Sequence, residues 1–341
     1  MSSLDHKTVS SSAGEVFTDT AWAKVNLTLK VLGKRADGYH ELESLVVFAG
    51  SGDKLRLSVD DGTALLSALD CQVEGPEAQA IEGENLVEEV SRHFFEWVSK
   101  ESALNLSEVP QDQLLATGKL YLDKRLPVAA GLGGGSADAA AALRLISEAM
   151  KLRGVDLSSL DLHKFALRFG ADIPVCLNSV PSFMTGIGET VTPLTQFPKL
   201  GLLLVNPRVP VPTGQVFQEL NAAPLKGDAG HGHGGREKLA AKSFCSVSDV
   251  IDYMNAFGND LLEPALKVAP QIGNVLAEIE SQEGCLISRL SGSGATCFGL
   301  FETLCQAEHA GEILKNRYPE WWIESTFVRP LDATCLRHNS D

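Results

Sequence analysis

Leu126-Pro127-Val128-Ala129-Ala130-Gly131-Leu132-Gly133-Gly134-Gly135-Ser136-Ala137-Asp138 is the stretch on which the reading of this chain turns. Four glycines fall within five positions, and an alanine-rich segment, Ala139 to Ile146, follows with the composition of a helix. Glycine lets the backbone bend sharply and lets a ligand approach it closely. A helix that starts straight after such a loop offers unpaired N–H groups and a positive dipole end, which suits phosphate. A strand-to-helix turn in which glycine only relieves crowding needs the same residues, so the stretch alone admits both readings. It is not a Walker-A loop, because Ser136 rather than Lys follows Gly135. Nor is it a dinucleotide fingerprint, since the sixth position counted from Gly131 is Ser136.

Outward from that stretch, 341 residues predict two domains, and a hydrophobic content of 44% is ample for their cores. A net charge of −15 argues against a nucleic-acid or anionic-membrane binder. An anionic substrate then requires a local basic pocket. The seven cysteines include no CxxC pair and the eight histidines no HExxH, which fits reduced thiols in a cytoplasmic protein. No apolar run approaches a membrane span. Met1 to Thr18 is polar and Ser-rich, and reads as a disordered leader.

Ala21 to Leu32 alternates. Ala21, Ala23, Val25, Leu27, Leu29 and Val31 share one face, and Trp22, Lys24, Asn26, Thr28 and Lys30 the other, as in a half-buried strand. By periodicity alone Lys24 and Asn26 belong to a solvated face; the functional alternative is a cation and an amide side by side toward a ligand. Asp37-Gly38 signals a hairpin turn, with Tyr39 and His40 opening a returning strand through Phe48, and another strand at Lys54 to Val59. Tyr39 and His40 either cover the hairpin or stack on a flat ring. Helices are predicted over Asn85–Val98 and Asp161–Phe169, and strands at Lys119–Lys124 and Leu202–Val205. In Gly170-Ala171-Asp172-Ile173-Pro174, Pro174 suits a first helical turn and Asp172 an N-cap; a catalytic carboxylate is the rival reading. Phe183–Thr192 reads as a hairpin, and Pro207–Pro212 as a stiff connection to Thr213 and Phe217. The Gly- and His-rich segment Gly227–Gly235 reads as a mobile loop. Helices around Ser248–Ala256, Gln271–Ser281 and Glu302–Lys315 and strands ending near Phe301 and Val328 complete the pattern. The domains expected are 19–182 and 183–332, with a tail at 333–341.

Three stretches, around Lys24, Gly131 and Ser291, together resemble the superfamily of galactokinase, homoserine kinase, mevalonate kinase and phosphomevalonate kinase (GHMP kinases). Pro127 to Ser136 resembles its ATP-phosphate loop. Ala23-Lys24-Val25-Asn26-Leu27, Arg35-Ala36-Asp37-Gly38-Tyr39-His40, Gly170 to Pro174, and Arg289-Leu290-Ser291-Gly292-Ser293-Gly294-Ala295 resemble one branch of it. That branch phosphorylates a hydroxyl of a cytidine-diphosphate-linked polyol in the non-mevalonate route to isoprenoid precursors. The match runs from about Ala21 to Leu331.

The resemblance implies an α+β fold. Its N-terminal domain would be like domain 2 of ribosomal protein S5, its C-terminal domain ferredoxin-like, and the site would lie between them. It also implies a bacterial, cytoplasmic enzyme, monomeric or a weak homodimer, using ATP and Mg²⁺. Pro127, Val128, Ala129, Ala130, Gly131, Leu132, Gly133, Gly134, Gly135 and Ser136 would hold the ATP phosphates, with Ser136 near Mg²⁺. Asp172 would take the proton of the attacking hydroxyl, and Lys24 would keep it ionised and offset phosphoryl charge. Asn26 would orient both. Tyr39 and Phe217 would sandwich cytosine, with His40 at its edge. Thr213 and the loop of Ser291, Gly292, Ser293 and Gly294 would close over the substrate. A kinase of the same superfamily acting on another small alcohol, and a non-catalytic metabolite sensor, are the alternatives.

Overall fold

The computed structural model describes residues 9–11, 14–59, 66–81, 83, 85–101, 116–225 and 243–331. The Gly227–Gly235 loop, the tail at 333–341 and the first eight residues of the expected leader lie outside them. The chain divides into two compact units, one of Met1–Ala21, Gly52–Val128 and Gly134–Leu177, the other of Trp22–Ser51, Ala129–Gly133 and Asn178–Asp341. The division crosses two long strands and falls inside the glycine stretch.

In the first unit, β1 (Val9–Ser11) pairs antiparallel with the start of β2 (Gly14–Asn26). The leader is therefore strand over part of its length: a polar, Ser-rich composition gives no periodicity, but backbone pairing does not need one. The end of β4 (His40–Val59) pairs antiparallel with β6 (Ala116–Asp123), which pairs parallel with β5 (Leu66–Glu74). Helices α1 (Leu86–Glu101) and α2 (Gly134–Leu152) pack on each other and on β5. Alanine at 139 through 142 is fully buried, and the small side chains let α2 approach its neighbours closely. Phe94 and Phe165 meet edge-on at 5.5 Å, and Trp97 stacks on Phe165 at 4.7 Å. Two short helices, α3 (Leu162–Leu167) and α4 (Ile173–Asn178), follow; Asp161 caps α3 by accepting from the Lys164 amide.

In the second unit, β3 (Lys30–Lys34) pairs antiparallel with the start of β4, which also pairs with β7 (Ser182–Gly186), and β7 pairs with β8 (Thr190–Pro193). The Asp37-Gly38 hairpin is present: Gly38 has φ +90° and Asp37 Oδ1 accepts from the Tyr39 amide at 3.1 Å. A second sheet is wholly antiparallel, in the order β10 (Cys285–Leu290), β11 (Cys297–Phe301), β9 (Gly201–Asn206), β12 (Trp322–Phe327). Between β9 and β10 come α5 (Thr213–Leu220), α6 (Val247–Ala256), α7 (Leu262–Val268) and α8 (Gln271–Glu280); α9 (Leu304–Arg317) links β11 to β12. Helices α8 and α9 pack on this sheet, so the β-α-β-β-α-β pattern is ferredoxin-like, as expected. Its core joins Leu203, Val205, Ile272, Val275, Phe301 and Leu314.

Three local expectations change. The strand expected over Ala21–Leu32 ends at Asn26 and resumes at Lys30, and Lys24, Asn26 and Thr28 are buried, not solvated. The two strands expected at Tyr39–Phe48 and Lys54–Val59 are one, because Ser51-Gly52-Asp53 continues extended. The helix expected from Ala139 begins at Gly134, placing Gly134, Gly135 and Ser136 in its first turn. Strand β5 and helix α7 lie outside the predicted elements: β5 does alternate, Leu69, Cys71 and Val73 against Asp70, Gln72 and Glu74, whereas α7 is too short for a helical period to show.

Candidate active site

Within the second unit, β2 delivers Lys24 and Asn26 into a chain of polar contacts. Lys24 Nζ donates to Asn26 Oδ1 at 3.2 Å, and Asn26 Nδ2 donates to Ser44 Oγ at 2.8 Å. The Asn26 amide donates to Ser291 Oγ at 3.2 Å, and Ser291 Oγ donates to the Gly131 carbonyl at 2.9 Å. The Lys24 amide donates to the Leu132 carbonyl at 2.9 Å, and the Thr296 amide to the Ala130 carbonyl at 3.1 Å. The start of the glycine stretch is thus held between the strand carrying Lys24 and the turn carrying Ser291. Gly131 has φ +76°, and a Cβ there would overlap the Ser291 carbonyl and crowd the Gly294 backbone. Only glycine meets both demands.

Along the same unit, Thr213 Oγ1 and Ser293 Oγ are 2.8 Å apart, joining the first residue of α5 to the Ser291–Gly294 turn. His40 stacks on Phe217 with ring centroids 4.5 Å apart and 24° between planes. Burial, and then Lys34, lower the His40 pKa, so the imidazole is neutral at pH 7. Tyr39 is 58% exposed beside it. His40 therefore covers one face of Phe217, a placement the sequence did not anticipate.

Within the first unit, Gly134, Gly135 and Ser136 open α2, and a Cβ added to Gly135 would meet nothing within 4 Å outside the helix's own backbone and its chain neighbours. A side chain on Gly170 would begin 3.8 Å from Ser136 Oγ, which places the Gly170–Pro174 segment beside the start of α2. Asp172 immediately precedes α4, and the Cys176 amide donates to its carbonyl at 3.3 Å. Arg144, on α2, ties down the far end of α4 by donating to the Cys176 and Leu177 carbonyls at 2.7 and 3.3 Å, and pairs with Asp19 at 2.7 Å. Pro127 is buried and Val128 is 40% exposed.

A buried charge cluster beneath the α2 start escaped the sequence reading. Lys124 Nζ lies 2.6 Å from Asp53 Oδ2 and 2.6 Å from Asp138 Oδ2. Asp53 Oδ1 also accepts from the Arg125 and Leu126 amides at 2.5 and 2.8 Å. A Cβ on Gly134 would sit 3.2 Å from the Lys124 ammonium. Burial alone would depress the Lys124 pKa; Asp138 and Asp53 more than offset it and hold it above its ordinary value. Burial pushes the Asp138 carboxyl well up against the pull of Lys124, and Asp53, competing for the same cation, adds to the rise. Asp138 Oδ1 is buried without a hydrogen-bond partner.

Among the described residues no cluster of three or more His, Cys, Asp or Glu side chains offers a metal site. For Mg²⁺, Ser136 and Asp172 supply oxygens of the right kind in the first unit. No helix among the described residues is long and apolar enough to cross a membrane.

A helix opening on glycine and serine, a buried lysine–asparagine pair and a ferredoxin-like sheet together define a class of small-molecule kinase, and comparison with known proteins agrees. The model of the GHMP kinases N terminal domain matches residues 86–179, and that of the GHMP kinases C terminal domain residues 240–320. The 4-diphosphocytidyl-2-C-methyl-D-erythritol kinase of Parvibaculum lavamentivorans is 42% identical over 309 residues, covering 90% of this chain and 96% of its own. That of Bradyrhizobium sp. (strain ORS 278) is 43% identical over 309 residues, covering 89% and 94%. The crystal structure of a 4-(cytidine 5'-diphospho)-2C-methyl-D-erythritol kinase superposes with a TM-score of 0.63 at 26% identity, covering 92% of this chain and 99% of its own. Homoserine kinase from Cytophaga hutchinsonii, at 16% identity and a TM-score of 0.60, shares the fold. The chain belongs to the 4-diphosphocytidyl-2-C-methyl-D-erythritol kinase family of GHMP kinases.

Proposed function

We propose that this protein transfers the γ-phosphoryl group of ATP to the 2-hydroxyl of 4-diphosphocytidyl-2-C-methyl-D-erythritol, releasing ADP, in the non-mevalonate route to isoprenoid precursors. The observation that carries this reading is the buried Lys24–Asn26 pair, locked to the glycine stretch through Ser291. A buried ammonium whose direction is fixed by a neighbouring amide is preorganised to meet the charge of a phosphoryl group.

Phosphoryl transfer asks for positioned oxygens and offset charge more than for covalent chemistry. Residues 127–136 hold the ATP phosphates through backbone N–H groups, and the first turn of α2 adds its dipole. Mg²⁺, when bound, would neutralise phosphate charge, and Ser136 would offer it a protein oxygen. Asp172 accepts the proton of the attacking hydroxyl. Lys24 offsets charge on the phosphoryl group in flight, and Asn26 fixes the direction of its ammonium. Tyr39, His40 and Phe217 take the cytosine, with the neutral imidazole free to read a base edge. Thr213 and Ser291–Gly294 complete the acceptor side. We further propose that the working domains are 19–182 and 183–332, and that the enzyme is cytoplasmic and monomeric or weakly dimeric.

A coupled ADP-release assay with the purified full chain, ATP, Mg²⁺ and the cytidyl substrate tests the reading. Turnover that requires this acceptor, and that homoserine and mevalonate fail to support, is expected. Turnover with either of those alcohols instead would overturn the substrate assignment, and ATP binding without turnover would favour a sensor.

A further inference from the structure

The turn Ser291–Gly294 fixes Gly131 and Asn26, yet it is itself a glycine-containing loop with Gly292 at φ +57° and Gly294 at φ +89°. Something must hold it. Asn259 does so with both of its side-chain N–H groups: Nδ2 donates to the Leu290 carbonyl at 2.9 Å and to the Gly292 carbonyl at 2.8 Å. Its Oδ1 accepts from the Leu261 amide at 2.9 Å, which orients the amide group from the start of α7. The backbone around it is stitched to the segment just after Asn26. The Leu29 amide donates to the Gly258 carbonyl at 3.0 Å, the Asp260 amide to the Leu29 carbonyl at 2.8 Å, and the Val31 amide to Asp260 Oδ2 at 2.8 Å. Asn259 is therefore tied through its neighbours Gly258 and Asp260 to the segment just after Asn26, and through its own side chain to the turn that grips Gly131. All these residues lie in the second unit.

We infer that Asn259 is a positioning residue of the phosphoryl-transfer site: its carboxamide sets the Ser291–Gly294 turn and, through Ser291, the placement of Gly131 and Asn26. It need touch neither ATP nor acceptor. The inference rests on the site reading above for its catalytic consequence, but the structural link stands apart from it. Asn259→Asp is the sharpest probe. It is isosteric and keeps the acceptor for Leu261, but it turns two donors into an oxygen facing two carbonyls. Misplacement of catalytic groups by about 1 Å can cost about 100-fold, so kcat of Asn259→Asp and Asn259→Ala is expected to fall at least about tenfold, with KM for ATP changed less than about threefold. Lower pH should partly restore Asn259→Asp, since a protonated carboxyl regains one donor. It should not restore Asn259→Ala. Asp260→Ala, which loses only the Val31 bond, is the stability control: its melting temperature falls and its kcat does not.

Hydrogen exchange of the full-length variants over residues 287–296 reads the turn directly and needs no acceptor. Faster exchange in both Asn259 variants together with the kcat loss is the expected result. Unchanged exchange overturns the inference, and so does faster exchange with kcat within about twofold of the parent, a change too small for a positioning role. If the parent itself shows no turnover with the cytidyl substrate while exchange in the variants is faster, the kinase assignment fails and the structural link survives.

Discussion

Residues 129–133 and 134–138 are consecutive in the chain, yet opposite means hold them. The first five are gripped by neutral hydrogen bonds from Ser291, Thr296 and the Lys24 amide. The next five end in Asp138, which shares the buried Lys124 ammonium with Asp53. A neutral grip gives way in small steps and is indifferent to pH. A buried charge cluster tolerates isosteric change well and removal of a partner badly.

The largest effect expected is on the charged side. Asp53→Ala takes one carboxylate from Lys124 and leaves the Arg125 and Leu126 amides without an acceptor, at a cost of about 3–5 kcal/mol. Chemical denaturation measures it. Asp138→Asn sharpens the contrast: it keeps an acceptor for Lys124 and removes a costly buried charge, so stability should stay within about 1 kcal/mol. An equal loss in the two variants would break the view that Asp53 is the anchor. Next comes Asp172→Asn, with a kcat loss of at least about 100-fold and ATP binding retained, checked by single-turnover kinetics and calorimetry. On the neutral side, Ser291→Ala leaves the Gly131 carbonyl and the Asn26 amide short of a partner and should cost about 1–3 kcal/mol. The smallest effect is a pH dependence. Because burial and Lys34 lower the His40 pKa, its imidazole resists protonation on acidification. KM for the acceptor should therefore stay flat down to pH 6.5, the ordinary histidine value, and rise only below it, a rise that His40→Gln abolishes.

What the sequence disclosed and what it hid divide along the same physical line. Asp37-Gly38 and the glycine stretch are local signals, and each marks the turn it encodes. Ferredoxin-like topology came through resemblance, since no local pattern specifies the order β10, β11, β9, β12. Lys24 and Asn26 do share one face, but alternation cannot tell that Ser44 bonds the Asn26 side chain there and Ser291 its backbone amide. Ser51-Gly52-Asp53 has the composition of a turn and is instead the middle of a 20-residue strand. Asp53 is drawn in by Lys124, 71 positions away. Asn259 acts across 31 and 33 positions on carbonyls that carry no side-chain signature. Polar residues that anchor distant backbone look from the sequence like ordinary surface residues.

Gly131 carries one further consequence. Its missing side chain is demanded by the Ser291 carbonyl, 160 positions away, as well as by its own backbone angle. In a saturation library scored by growth, every substitution at Gly131 would vanish, and the position would be counted with Lys24 and Asp172 as chemistry. Its intolerance is one of shape. A purified Gly131→Ala variant should therefore fail first in folding yield, before any turnover is measured, whereas Asp172→Asn should arrive intact and idle.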